Sequence, residues 1–145
     1  MKNSKRIWRN VFVLTMAGGL AFWLANFAIS RTSIAAEYRA AMSISYYPML
    51  VESLIGGLII AFLISYLLLR FFDRMPTKDA VLKSIILSSV VLVIATILPG
   101  GPSSFHATNN VLRYFIISTV INLIRILALG IAIGYVCKRR YKPND

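Results

Sequence analysis

Residues 114–137 read YFIISTVINLIRILALGIAIGYVC, twenty-four positions whose single charged side chain is Arg125. At 1.5 Å per residue such a helix would be about 36 Å long. About 20 apolar residues suffice to cross the ~30 Å hydrocarbon layer of a bilayer. A run this long and this apolar belongs in lipid.

Working outward, three more apolar runs precede it. Residues 11–29 carry no charge, with Thr15 and Asn26 as polar breaks. Residues 49–69 hold one acid, Glu52, near their start. Residues 84–98 are shorter and reach spanning length if the helix begins near Ala80, with Lys83 snorkelling to the interface. β-branched residues crowd this third run (Ile85, Ile86, Val90, Val91, Val93, Ile94). A transmembrane barrel strand would alternate apolar and polar positions, and that alternation is missing. The sequence therefore predicts an all-α membrane protein, a bundle of four transmembrane helices over about 9–30, 48–70, 80–98 and 112–137, in one domain covering 1–145.

The composition agrees. Hydrophobic residues make up 58% of the 145 and charged ones 14%, against about 25% charged in an ordinary soluble domain. A disordered chain would pair its charge with few apolar residues. One cysteine, Cys137, forms no internal disulfide. Turn residues fall between the runs. Pro99-Gly100-Gly101-Pro102 ends the third, Pro48 tolerates the first turn of the second, and Thr108-Asn109-Asn110 offers caps before the last. Residues 31–47 include an Ala-rich part that favours helix, either continuing the first span or lying along the interface.

The cations choose an orientation. Lys2, Lys5, Arg6 and Arg9 precede the first span, and Arg70, Arg74, Lys78 and Lys83 join the second to the third. Lys138, Arg139, Arg140 and Lys142 follow the fourth. The two remaining connections hold Arg31, Arg39 and Arg113. By the positive-inside rule both termini are expected in the cytoplasm of a multi-pass protein of the cell membrane. The net charge of +11 is thus divided among juxtamembrane clusters that contact anionic headgroups at the cytoplasmic face, with no nucleic acid as partner. The basic start, apolar stretch and Ser33-Ile34-Ala35 also resemble a signal peptide, but nineteen apolar residues exceed the usual 7–15 of a signal core.

Helices in lipid associate through close packing and polar contacts. Small residues recur four apart as Ala17, Ala21 and Ala25 in the first span and as Ser53, Gly57, Ala61 and Ser65 in the second. Gly130 and Gly134 do the same in the fourth. These stripes are expected at contacts within the bundle, with a homodimer through Gly130 and Gly134 as the alternative.

An ionisable group inside the membrane is a functional candidate by default. With both termini inside, Glu52 and Arg125 lie on helices running inward, and both side chains lean toward the outer face. Asn122 shares Arg125's face three residues earlier, and Asn26 lies at a comparable depth. The expected polar cluster is therefore Glu52, Arg125, Asn122 and Asn26, roofed by Tyr46, Tyr47 or His106. It reads either as a buried salt bridge with amide partners or as an outward-facing site for an anion, a proton or a small polar ligand.

No catalytic set accompanies it. His106 and Cys137 are the only residues of their kinds, so no metal site forms from the preferred ligands, and no intramembrane His activates a serine. The expectation is a non-enzymatic accessory or assembly partner of other membrane proteins, without cofactor, whose partner is another membrane protein or further copies of itself in a homo-oligomer. The alternative is a subunit of a small oligomeric transporter or channel that uses the polar cluster.

Overall fold

A computed structural model describes residues 2–75, 77, 79–97 and 110–140. Within them lie α1 (Lys2–Ser30), α2 (Ser33–Ala41), α3 (Tyr46–Arg70), a 3₁₀ turn (Phe72–Arg74), α4 (Ala80–Ile97) and α5 (Val111–Arg140). Three of these are long and apolar enough to cross a membrane, namely Lys5–Ser30, Tyr46–Arg70 and Val111–Arg140. The apolar stretch of α4, Ala80–Ile94, is shorter. The Pro-Gly-Gly-Pro turn, Thr108-Asn109 and the roof residue His106 lie outside the described residues.

Local chemistry sets the breaks. The first run does not continue past Ser30. Thr32 starts a separate helix, its hydroxyl accepting from the Ala35 N–H at 3.3 Å and donating to the Ile29 carbonyl at 2.7 Å. Such hydroxyl oxygens satisfy the open N–H groups of a first turn. α2 ends on Ser43, whose φ of 53° is left-handed. There the Ile44 N–H reaches back to the Arg39 carbonyl at 2.9 Å, and the Ser43 N–H to Ala40 at 3.3 Å, a Schellman closure. Pro48 sits in the first turn of α3, where no N–H is needed. Asp79 caps α4, its carboxylate accepting from the Val81 N–H at 3.2 Å.

α1 packs along both α3 and α5, and α5 packs along α4, while α3 meets α4 and α5 only lightly. Two antiparallel pairs, α1 with α3 and α4 with α5, are thus joined along α1 and α5. At one end Trp8 stacks on Phe62 and Tyr66, Asn10 meets Arg140, and Lys138 pairs with Asp79 at 3.6 Å. We call this the basic end. At the opposite end Arg113 pairs with Glu37 at 2.9 Å, and Arg39 donates to the last carbonyl of α1, Ser30, at 2.9 Å.

Small polar side chains share the interior with an apolar core of Leu14, Ile64, Leu68, Leu129 and Ile133, and the outer surface is apolar as well. Asn10, Thr15, Asn26, Ser30, Ser65, Lys83, Ser84 and Ser88 are buried. Phe12, Met16, Leu20 and Leu24, one turn apart on α1, are exposed, as are Val51, Ile55 and Ile59 on α3. Lipid does not penalise an exposed apolar stripe, and small polar residues allow helices to approach. Lys83 corrects one expectation. It does not reach the surface but is buried, its ammonium donating to the Phe72 carbonyl and lying 3.7 Å from the centre of the Phe72 ring.

Glycines mark the closest approaches. A Cβ on Gly134 would lie 2.6 Å from the Cα of Val81, and one on Gly130 would lie 2.6 Å from Ser88 Oγ. These two glycines therefore receive α4 of the same chain. On α1, Gly18 and Gly19 lie against Ile133 and Leu58, and Ala17, Ala21 and Ala25 are half-buried. On α3, Gly57 receives the Phe22 ring, and Ala61, fully buried, lies beside Gly18.

Candidate functional site

The polar residues of α1, α3 and α5 gather toward the end opposite the basic one. Asn26, fully buried, donates through Nδ2 to Ser53 Oγ at 2.8 Å. The Ser53 hydroxyl in turn donates to the Leu50 carbonyl at 2.9 Å, and the Trp23 indole donates to that same carbonyl at 3.1 Å. This relay of three bonds ties α1 to the first turns of α3. A serine picked out as a small packing residue thus also serves as a hydrogen-bonding partner.

Arg125 reaches the same level on α5. Gly18 faces Ile133, and eight residues further along α1 and eight back along α5 bring Asn26 level with Arg125. Its guanidinium is half-buried, and Nη1 donates to Asn122 Oδ1 over a long 3.5 Å. Arg125 Nε is buried with no partner among the described residues, and so is Asn26 Oδ1. One is a donor and the other an acceptor, both out of water, where an unmade hydrogen bond costs about 1–3 kcal/mol.

Glu52 stands apart from this layer. The expected meeting of Glu52 with Arg125 does not occur: Glu52 is exposed, and no ion pair involves it among the described residues. The reason is helical phase. Ser53, Gly57, Ala61 and Ser65 turn inward, and Glu52 is rotated about 100° from Ser53, onto the flank of Val51, Ile55 and Ile59. The helix order adds to this, because α3 and α5 lie on different sides of α1 and touch only lightly. Of the four expected cluster residues, Asn122 and Arg125 touch, Asn26 lies at their level, and Glu52 faces out. Tyr46 and Tyr47 lie at this end as expected, packed edge to face at 5.6 Å, and Arg39 lies over the Tyr46 ring at 5.1 Å.

The sequence reading passed over Glu37, which pairs with Arg113 across the α2–α5 junction, and Asn10, which is 7% exposed at the basic end. Glu37 gave a faint signal as the one acid in a connection with two arginines. Asn10 gave none, since it sits among charged neighbours that suggest a solvated tail. Among the described residues no three His, Cys, Asp or Glu side chains come together as for a metal ion.

No protein-family model, curated protein or solved structure matches the chain. Three apolar helices of spanning length define the class, a multi-pass membrane-embedded protein.

Proposed function

We propose that this chain is a non-enzymatic accessory or assembly partner of other proteins in the cell membrane. It crosses the bilayer four times, with both termini in the cytoplasm. The fourth crossing is α4. Supporting it, Ser88 and Val81 of α4 follow Gly130 and Gly134 along α5, while α4 joins an α3 that ends at the basic end to an α5 that starts at the other. The orientation rests on the sequence, which has twelve Lys and Arg residues in the two termini and the connection between the second and third runs, against three in the other two connections.

The observation that carries the accessory role is Glu52. An acid nearly two turns into an apolar helix, beside Val51 and Ile55, which are 58% and 54% exposed, is an expensive group to leave facing lipid. A basic or hydrogen-bonding group on a neighbouring protein would cover it. Co-purification from native membranes, run beside Glu52→Leu, tests this. A stoichiometric partner whose recovery falls in the variant supports the role. The absence of any partner, or equal recovery from both proteins, sinks it.

The second reading, a subunit of an oligomeric transporter or channel, draws on Arg125 Nε and Asn26 Oδ1, two buried polar atoms at one level without partners. Flux of anions or protons through liposomes that Arg125→Ala abolishes would favour it over the first.

A further inference from the structure

At the basic end, on a face of α1 turned toward the last turn of α5, lies a cavity of about 470 Å³ lined by Arg6, Arg9, Asn10, Val13 and Arg140. We propose that it is a binding site for the phosphate of an anionic phospholipid. The proposal rests on membrane insertion and is independent of the accessory role.

The four α1 residues are spaced at i, i+3, i+4 and i+7, which places them on one stripe. Arg140 arrives from α5 and donates to Asn10 Oδ1 at 3.4 Å, so its guanidinium is held at the wall by a side chain itself 7% exposed. Three guanidiniums therefore surround one space. Among the described residues no carboxylate lines that space or pairs with any of the three. Glu37 and Asp79 are engaged with Arg113 and Lys138, Glu52 lies toward the other end of α3, and Asp73, in the 3₁₀ turn after α3, is not in the lining. Three exposed arginines lining one space attract an anion. Arginine's planar fork suits phosphate oxygens, which it meets in pairs.

The gradient along the stripe chooses a lipid as the source. Arg6 and Arg9 come first, Asn10 next, and apolar Val13 last. Below them Met16 and Leu20 are exposed along α1. Charge followed by hydrocarbon over two turns matches a headgroup phosphate above its acyl chains. Basic pockets between membrane helices hold anionic headgroups in this manner. The volume lies within the ~300–1,000 Å³ of small-molecule sites.

The test uses the full-length protein in nanodiscs, with binding of phosphatidylglycerol read against phosphatidylcholine, and with soluble glycerol phosphate as competitor. Phosphatidylglycerol should bind preferentially. Each of Arg6→Gln, Arg9→Gln and Arg140→Gln should weaken it by about fivefold, while Arg74→Gln, outside the cavity, should leave it unchanged. Val13→Trp should abolish binding by filling the space with every charge retained, which separates a site from a merely basic surface. Incorporation into the nanodisc and helical content report insertion and folding separately for each variant. Equal binding of the two lipids overturns the proposal, and so does full binding by Val13→Trp or by the three glutamine variants. Displacement by glycerol phosphate as effective as by the lipid also overturns it, because the site would then take free phosphate.

Discussion

Glycine decides how near these helices come, and its role differs from one position to the next. A methyl group on Gly134 would meet backbone atoms of Val81 and Ala80, which have no rotamer to change, whereas nothing lies within 4 Å of one on Gly56. Gly134→Ala should therefore destabilise the protein by about 1–3 kcal/mol, as overpacking does. Gly56→Ala should be neutral or stabilising by up to about 1 kcal/mol through helix propensity. Thermal unfolding in detergent checks both, and equal melting temperatures would contradict this account of the α4–α5 contact. Composition alone made Arg125 and Asn26 visible, because polar groups in an apolar run stand out. Asn122 was legible as the neighbour of Arg125 from its spacing, whereas Ser53 as the partner of Asn26 was not. Residue type gives no phase relative to a neighbouring helix, and a difference of one position turned Ser53 inward and Glu52 outward.

At the scale of the element, α2 shows what a sequence conceals. The Ala-rich stretch announced a helix, but its separation from α1 depends on the Thr32 hydroxyl, and its end depends on a serine in a conformation usually left to glycine. The left-handed region costs a non-glycine residue about 1–2 kcal/mol. Ser43→Gly is expected to raise stability by up to about 1 kcal/mol, since added freedom in the unfolded chain offsets part of that relief. Ser43→Val should lower it, and chemical denaturation of the two variants gives the comparison. The long helices were readable because twenty consecutive apolar residues admit few alternatives. α4 was harder, being both shorter and rich in β-branched residues. Its cap at Asp79 looked like ordinary loop sequence.

For the molecule as a whole, helix order is the property that the sequence could not supply. Hydropathy locates spans and cation counts orient them, but neither tells which spans are neighbours. The structure places α1 between α3 and α5, and so divides a cluster that had been expected to close. Cysteine pairs in a Cys137→Ser background give a direct measure. Asn10→Cys with Arg140→Cys should crosslink in membranes, whereas Glu52→Cys with Arg125→Cys should not; the reverse pattern would refute the order of the helices. Under the proposed four crossings with basic flanks inside, reporters fused to the two ends should both respond from the inner side of the membrane.

The α1–α5 junction is closed at both extremities, by Asn10 with Arg140 and by Glu37 of the attached α2 with Arg113. Each half of the polypeptide is a hairpin, and most of what unites the halves runs along that single seam. The peptide bond joining them is thus nearly dispensable once both are inserted. Two separately synthesised fragments, divided near residue 76, should find each other in the bilayer and rebuild the native assembly.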